Sequence, residues 1–235
     1  MLTKEILMER NISQPLPSPN EVMEWFKVME AGWVYERASG KAHAILHSGM
    51  HSDGFFLCKR LLKYGNLREL LAACIVRELC TVAGRLPMIH GVFGSPYSAI
   101  LLAGDVARML RVPVYVPEKD PSDPQGKRMI FKPDDPIPEG AVLLQVEELV
   151  TTWASGDATK QAIIDGNPHK VSFCPFVGVL IHRPPALVGR ELRDGRTIVP
   201  FIEKQVAAWD PKDCPLCKAK SKPVFPKEQW AELTA

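Results

Sequence analysis

The sequence predicts an α/β protein with a central, mostly parallel sheet and flanking helices. Short apolar runs alternate along the chain with amphipathic segments, the pattern of repeated strand–helix–strand units. Residues 141–146 carry no charge and end in two adjacent carboxylates, Glu147 and Glu148. Such a run is typical of a strand buried on both faces. With 235 residues and 46% hydrophobic content, the chain can form one large α/β domain with a small appendage.

The first elements follow a proline-rich segment at residues 11–20. Asn20 is predicted to cap a helix over residues 21–31, where apolar residues recur at helical spacing. Short strands are expected at residues 33–35 and 42–46, because each run is apolar and brief.

The remaining elements alternate between strand and helix. Asn66, with Glu69 three residues later, resembles a capping box at the start of a long helix. Residues 117–138 are rich in proline and charge and are expected to form a long mobile loop. The other predicted elements are strands at 88–93, 112–116, 141–146, 176–181 and 197–202 and helices at 99–110 and 155–165.

Composition argues against several classes of protein. The net charge is +2, and no Lys/Arg run suggests nucleic-acid binding. The longest apolar stretches fall far short of the roughly 20 residues that cross a bilayer. The first ten residues contain acidic side chains and lack the apolar core of a signal peptide. We therefore expect a cytoplasmic protein that binds neither nucleic acid nor membranes.

Polar groups are concentrated directly after the run at 141–146. Glu147 and Glu148 are followed by the hydroxyl groups of Thr151, Thr152 and Ser155. In parallel α/β sheets, ligands bind beyond the carboxyl ends of the strands. Carboxylates accept hydrogen bonds from ribose hydroxyls, and a helix start binds phosphate through its backbone N–H groups. These residue types suit a sugar phosphate. The alternative is a solvated loop with Ser155 as an ordinary helix cap.

A pair of cysteines near the C-terminus suggests a metal. Cys214-Pro-Leu-Cys217 has the spacing of half a tetrahedral zinc site. Cys174, a histidine or a partner subunit are the sources considered for the other ligands. The alternative is a reduced turn that packs on the domain.

The other cysteines and histidines give no ligand pattern. Three cysteines are expected in the core, namely Cys58, Cys74 and Cys80. Four histidines show no ligand spacing and are expected to be structural or exposed, namely His43, His51, His90 and His169.

Several stretches, in this order and spacing, resemble the type I phosphoribosyltransferases, most closely the orotate phosphoribosyltransferases. Residues 46–56 resemble a Leu-Lys-Ser-Gly-x-x-Ser-x-x-Phe-Phe stretch, and residues 94–103 resemble a pyrophosphate loop with its helix. Residues 147–155 correspond to the motif that binds phosphoribosyl pyrophosphate (PRPP), and residues 179–183 to a strand ending in Leu-Asp-Arg. The resemblance implies a Rossmann-like fold with a small N-terminal hood.

The resemblance also implies an activity and its residues. Members transfer ribose 5-phosphate from PRPP to a base with Mg²⁺, release pyrophosphate, and are usually homodimers. Catalytic roles fall on Lys119, Lys127, Glu147 and Glu148. PRPP binding involves Glu147 and Glu148 together with Ser95, Pro96, Tyr97, Thr151, Thr152 and Ser155, and base binding falls on Ser48, Phe55, Phe56 and Arg183. Adjacent strand residues point to opposite faces, so only one phenylalanine need meet the base. Arg183 favours orotate over a neutral purine, because a guanidinium can hold a carboxylate bidentately.

The resemblance runs from residue 21 to residue 201. It predicts an N-terminal arm at residues 1–20 and a phosphoribosyltransferase domain at 21–205, with the hood at 21–60. A tail at 206–235 carries the Cys-x-x-Cys pair.

Some positions depart from the family. His47 and Ser98 replace lysines, and Trp153 and Ala154 occupy a phosphate turn that is usually glycine-rich. The loop lacks the usual Lys-x-His-Gly-x-Gly core, which leaves its role to Lys127 or its neighbour. These departures keep two alternatives open: a phosphoribosyltransferase for another base, and a non-catalytic homologue that binds PRPP or a nucleotide in a regulatory role.

Overall fold

The computed structural model describes residues 2–35, 42–46, 48–184 and 189–234. His47, which replaces a lysine of the resembled motif, lies outside these ranges. Among the described residues, no helix is long and apolar enough to span a membrane.

The helices of the described residues differ widely in length. Long amphipathic segments form the helices that cover the central sheet, and single turns occur at the two ends of the chain. They are α1 (Lys4–Met8), α2 (Pro19–Val28), α3 (Lys59–Leu62), α4 (Gly65–Ala83), α5 (Ser98–Leu110), α6 (Ala154–Gly166), α7 (Pro215–Lys218) and α8 (Trp230–Leu233).

The strands form one large sheet and three small ones. They are β1 (Gly32–Val34), β2 (Ala42–Ile45), β3 (His51–Ser52), β4 (Gly54–Phe56), β5 (Gly91–Phe93), β6 (Val114–Tyr115), β7 (Glu118–Lys119), β8 (Met129–Ile130), β9 (Val142–Val150), β10 (Ser172–His182), β11 (Thr197–Glu203), β12 (Ala208–Trp209) and β13 (Lys222–Val224).

The central sheet has the order β11-β10-β9-β5-β6, and every pairing in it is parallel. Helices α4 and α5 cover one face, where Leu144 and Val146 of β9 are buried. Helix α6 covers the other face, where Leu143 of β9 packs with Ala162 and Ile163. This arrangement confirms the predicted α/β class, and it brings the carboxyl ends of β5 and β9 to one edge.

Two helix starts differ from the prediction. Helix α2 begins at Pro19, and its cap is Ser18: the backbone N–H of Glu21 donates to the Ser18 hydroxyl group, and the Glu21 carboxylate accepts from the Ser18 backbone. The assignment of Asn20 as the cap was therefore wrong. Asn66 lies inside α4, whose cap residue is Tyr64. The Asn66 amide donates instead to the carbonyl groups of residues 7, 8 and 10, so it ties the N-terminal arm to α4.

The loop predicted at residues 117–138 contains ordered structure. Strands β7 and β8 pair as an antiparallel hairpin. Phe131 and Ile137 are buried against α6 and β9. The sequence pattern missed these anchors because single apolar residues among prolines and charges have no periodicity.

The C-terminal tail completes a second sheet near the N-terminal strands. Its order is β12-β3-β2-β13, so both outer strands come from the tail. Ala42 and Ala44 of β2 pack with Val224 and Leu233 of the tail. We call this sheet, together with the β1/β4 pair, the hood. Of the three cysteines expected in the core, Cys58 and Cys74 are buried, whereas Cys80 is exposed.

The close approach of α4 to the sheet can be tested at Gly178. A Cβ atom there would lie 2.6 Å from Ile75 Cγ2 and 3.1 Å from Leu79 Cδ1. Gly178→Ala should therefore lower the unfolding free energy by about 1–3 kcal/mol. Gly104, inside α5, is the matched control, because a Cβ atom there meets nothing within 4 Å. Gly104→Ala should be neutral or stabilise by up to about 1 kcal/mol. Denaturant titration measures both, and equal effects would contradict this packing.

Candidate functional site

A small pocket lies where β9 passes into α6. Its cavity volume is about 160 Å³, and Glu147, Leu149 and the whole turn at residues 150–156 line it. The backbone N–H groups at the start of a helix have no partner within the helix. Because α6 begins at Ala154, its first turn directs these donors and the positive end of the helix dipole towards the pocket. Thr151, Thr152 and Ser155 lie on this turn, as predicted.

Trp153 forms one wall of the pocket without filling it. Its φ is +67°, a left-handed conformation that costs a residue other than glycine about 1 kcal/mol or more. The indole is only 9% exposed and packs against Val150, Val177 and Ile198. Its Nε1–H donates to Asp157 Oδ1 at 2.8 Å. Burial and this hydrogen bond hold the turn in a conformation that glycine adopts at less cost.

Glu147 is the buried centre of the site. Its side chain is inside β9 and 4% exposed, since the strand continues through the acidic pair instead of ending before it. Ser95 Oγ donates to Glu147 Oε1 at 2.7 Å, and Gln145 Nε2 donates to the same oxygen at 2.8 Å. Thr159 Oγ1 on α6 lies 3.0 Å from Ser95 Oγ. Glu147 therefore links β5, β9 and α6.

A second layer of polar groups supports Gln145. Arg196 Nη1 donates to Gln145 Oε1 at 2.8 Å, and Arg196 Nε donates to Asp194 Oδ2 at 2.7 Å. The guanidinium group lies 5.5 Å from the Trp153 ring, a cation–π distance. From the sequence, we did not assign Gln145, Arg196 or Thr159 to the site. The available signal was Gln145, because it is the one polar residue in the apolar run at 141–146.

Burial, and then the nearby charge of Glu148, raise the pKa of Glu147 to about 7. The hydrogen bonds from Ser95 and Gln145 favour the charged form and offset part of this rise. Among the described residues, no ion pair involves Glu147. Its carboxyl group therefore changes protonation near neutral pH.

Glu148 lies on the opposite face of β9, because side chains alternate along a strand. It is half-buried, and its backbone carbonyl group is 3.8 Å from Cys58 Sγ. The two carboxylates thus reach the strand end from different faces.

The turn after β5 contributes Ser95, Pro96 and Tyr97. Ser95 is buried and bonded to Glu147, whereas the Tyr97 side chain is 70% exposed. A Cβ atom at Gly94 would lie 2.6 Å from the Val146 carbonyl oxygen, so only glycine allows this approach to β9. The pyrophosphate-loop candidates therefore adjoin the acidic pair, with Ser95 turned inward.

Arg183 joins the strand edge to the hood. Its Nε donates to Thr151 Oγ1 at 3.2 Å, and its Nη1 donates to the Gly54 carbonyl group at 3.5 Å. Burial lowers the pKa of the Arg183 guanidinium and raises that of the neighbouring Asp53 carboxyl group, while the attraction between the two charges opposes both shifts. Because a guanidinium has five N–H donors, these two bonds leave donors for a ligand.

The two phenylalanines occupy different environments. Phe56 is buried in the main core, with its ring 5.6 Å from that of Phe26. Phe55 is half-buried and packs on the hood cluster beside Trp33. This leaves Phe55 as the aromatic candidate for a base. Ser48 is exposed in the turn between β2 and β3, and its hydroxyl group accepts from the Met50 backbone N–H at 3.5 Å.

The hairpin carries the two lysines of the predicted catalytic loop. Lys119 and Lys127 are both exposed. The backbone N–H of Lys127 donates to Asp123 Oδ2 at 2.8 Å, and that of Arg128 donates to the same oxygen at 2.7 Å. Backbone bonds to Asp123 order the turn while leaving both ammonium groups at its surface.

The cysteine pair lies outside this site, in the hood. Cys214 and Cys217 adjoin His43 and His51, two histidines for which sequence spacing gave no ligand role. Cys174, the other source considered, is buried in the main core instead.

Known proteins resemble this chain in sequence and in fold. A scan against models of protein families finds no match. Orotate phosphoribosyltransferase of Carboxydothermus hydrogenoformans is 27% identical over 77% of this chain and 87% of its own length. The protein of the same name from Thermoanaerobacter sp. (strain X514) is 29% identical over 76% of this chain and 84% of its own. The crystal structure of orotate phosphoribosyltransferase from Aeropyrum pernix superposes with a TM-score of 0.56 at 18% identity, covering 77% of this chain and 93% of that one. The resemblance predicted from the motifs is confirmed.

The burial of Glu147 predicts a pH-dependent stability. Its pKa is raised from 4.5 to about 7, so between these values the unfolded chain releases the proton while the folded protein keeps it. The contribution of this carboxyl group to the unfolding free energy is therefore fully present below about pH 4.5, and it is lost as the pH rises towards 7. Glu147→Gln cannot titrate. Relative to this variant, the wild type should lose up to about 3 kcal/mol of unfolding free energy between about pH 4 and about pH 8.

Denaturant titration across this pH range measures the difference. Glu139→Gln, which removes an exposed carboxylate, controls for the loss of one negative charge. A difference between wild type and Glu147→Gln that does not vary with pH would show that the carboxyl group is not desolvated.

Proposed function

We propose that this chain, which has the type I phosphoribosyltransferase fold, transfers ribose 5-phosphate from PRPP to orotate and releases pyrophosphate. One observation carries the proposal: a pocket at a helix start adjoins a buried carboxyl group, and the guanidinium of Arg183 bonds the same turn. These features supply partners for a phosphate, a ribose and an anionic base. The names of the relatives support the same activity.

The 5-phosphate of PRPP would occupy the pocket at the start of α6. Hydroxyl groups of Thr151, Thr152 and Ser155 and the free N–H groups of the first helical turn are suitable donors. The cavity of about 160 Å³ has room for a phosphate group. Its hydroxyl groups and the start of α6 favour an anion there.

The ribose would lie beside the acidic pair. Glu147 and Glu148 would accept hydrogen bonds from its vicinal hydroxyl groups. The two carboxylates also suit Mg²⁺, which prefers oxygen ligands. In proteins this ion is usually bound by one or two carboxylates together with substrate phosphates. Glu147 is held by neutral donors, Ser95 and Gln145, so its charge is not already paired with a cation among the described residues. When bound there, Mg²⁺ would supply positive charge that stabilises the departing pyrophosphate.

The base would approach between Arg183 and the hood. Arg183 would hold the orotate carboxylate, and Phe55 would stack on the ring. A ring nitrogen of orotate, which would bind already deprotonated, then forms the bond to the anomeric carbon. The bond from that carbon to the pyrophosphate oxygen breaks, and pyrophosphate leaves with the bonding electrons. The protein accelerates such a displacement mainly by positioning the two partners and stabilising charge.

Lys119 and Lys127 would stabilise the departing pyrophosphate as the hairpin closes over the donor and excludes water. Tyr97, Pro96 and Ser95 line the turn on which that group would rest. We also propose a homodimer in which a hairpin lysine reaches the partner's site.

One observation favours a second function. Trp153 occupies the phosphate turn and lines its pocket, where the resembled family has glycine. The loss of glycine at this turn would suit a protein that binds PRPP or a nucleotide as a regulatory signal without turnover. A phosphoribosyltransferase for another base remains the third possibility.

An assay for pyrophosphate release distinguishes these functions. Purified protein, PRPP and Mg²⁺ are combined in turn with orotate, uracil, hypoxanthine and adenine. We expect turnover with orotate alone. Turnover with another base instead would assign a different acceptor. Saturable PRPP binding without turnover would assign the regulatory role.

The double variant Glu147→Gln, Glu148→Gln is the control for the donor site. It should abolish PRPP binding in calorimetry, because both ribose contacts are lost. Unchanged affinity would mean that PRPP binds elsewhere.

The role proposed for Arg183 predicts that its substitution weakens binding of the base more than binding of PRPP. Arg183→Lys replaces a bidentate fork with a point charge, and we expect KM for orotate to rise by roughly 10–100-fold, as for one lost charged hydrogen bond. The KM for PRPP should change much less. Arg190→Lys, at an exposed arginine paired with Glu203, is the matched control and should be near neutral. An equal rise in both KM values would indicate a general loss of structure instead of base recognition.

A further inference from the structure

Four metal-binding side chains meet in the hood, away from the proposed transferase pocket. His43, His51, Cys214 and Cys217 each offer one ligand atom, and these atoms all lie within 4.8 Å of one another. His43, His51 and Cys214 are buried, and Cys217 is half-buried. We propose that this cluster binds one structural Zn²⁺ ion.

The distances between ligand atoms suit tetrahedral zinc. His43 Nε2 lies 3.0 Å from His51 Nδ1, 3.6 Å from Cys214 Sγ and 3.5 Å from Cys217 Sγ. Cys217 Sγ lies 3.2 Å from His51 Nδ1. With Zn–N bonds of about 2.0–2.1 Å and Zn–S bonds of about 2.3 Å, tetrahedral geometry separates neighbouring ligand atoms by about 3.3–3.8 Å. Small side-chain shifts bring the observed set to these values.

Hydrogen bonds to neighbouring groups orient two of the four ligand side chains. Ser221 Oγ lies 3.0 Å from His43 Nδ1 and can accept a hydrogen bond from the Nδ1–H group, which leaves the lone pair of Nε2 free to bind a metal. The backbone N–H of Cys217 donates to Cys214 Sγ at 3.5 Å and so fixes the position of that sulfur. Such outer contacts accompany most metal-bound histidines.

The chemistry of the ligands selects the metal and its role. Two imidazoles and two thiolates form a Cys₂His₂ set, which binds zinc in preference to the oxygen-loving Mg²⁺ or Ca²⁺. Four protein ligands close the coordination sphere, so the ion has no open position for a substrate. The site is therefore structural.

The ligands come from distant parts of the chain. His43 lies on β2 and His51 on β3, whereas in the tail Cys214 caps α7 and Cys217 lies within it. The tail strands β12 and β13 pair with β3 and β2 on either side. A bound ion would therefore lock the tail to the N-terminal hairpin of the hood. Few large apolar residues support this small sheet, and such units commonly need a metal.

Metal analysis of the full-length, untagged protein tests the proposal. After expression with added zinc and gel filtration in metal-free buffer, we expect one Zn²⁺ per chain. Cys214→Ser and Cys217→Ser should each abolish stoichiometric zinc. Cys80→Ser removes an exposed cysteine on α4 and should keep the full amount. Chelation should lower the melting temperature of wild type and of Cys80→Ser alike.

A cobalt titration keeps the test valid if a cysteine variant fails to fold. Wild-type protein stripped of metal should take up one equivalent of Co²⁺ and develop the intense visible bands of a tetrahedral site with a thiolate charge-transfer band. Protein without stoichiometric zinc and without these bands would overturn the proposal. A Cys214–Cys217 disulfide in freshly prepared protein would also overturn it. None of these measurements depends on transferase activity.

Discussion

The buried carboxyl group of Glu147 is the constraint around which the site is arranged. A carboxylate in a strand interior is costly unless hydrogen bonds satisfy it. Ser95 and Gln145 supply those bonds, and Arg196 supports Gln145 in turn. Ser95 follows β5, Gln145 and Glu147 lie on β9, and Arg196 directly precedes β11, so the network fixes the relative positions of these strand ends. The same desolvation that costs stability brings the pKa of Glu147 to about 7, so the charge of this carboxyl group depends on its burial in the folded protein.

Packing of its indole holds Trp153 in a backbone conformation that usually favours glycine. The turn requires a positive φ, which glycine adopts at little cost and tryptophan does not. Here the indole lies on Gly156, where a Cβ atom would come within 2.7 Å of the ring, and under the guanidinium of Arg196. Burial of a large aromatic ring is worth more than the strain, by roughly 1–2 kcal/mol or more. The turn at residues 150–156 therefore keeps its backbone shape without a glycine at position 153, and it still lines the pocket.

The sequence predicted those parts of the fold and site that depend on residues close together in the chain. The alternation of apolar runs and amphipathic segments predicted the parallel sheet, and the hydroxyl groups after the acidic pair predicted the pocket turn. It did not predict the features that depend on contacts between residues far apart in the chain. Strand β9 continues through Glu147 because Ser95, 52 positions away in sequence, satisfies the carboxyl group. Likewise His43 and Cys214 are 171 positions apart, so no local spacing could reveal that they meet.

The hood connects the cluster of His43, His51, Cys214 and Cys217 to the place where a base would bind. Ser52 Oγ donates to the Ala207 carbonyl group at 2.8 Å, and the Ala207 backbone N–H donates to Asp53 Oδ1 at the same distance. These bonds tie the start of the tail to the residues before β4, which carries Phe55 and the carbonyl group bonded by Arg183. An ion that locks the tail would thereby limit the movement of Phe55 relative to Arg183. Since affinity depends on holding both groups in place before the ligand arrives, a structural ion in the hood would act on base recognition without touching the base.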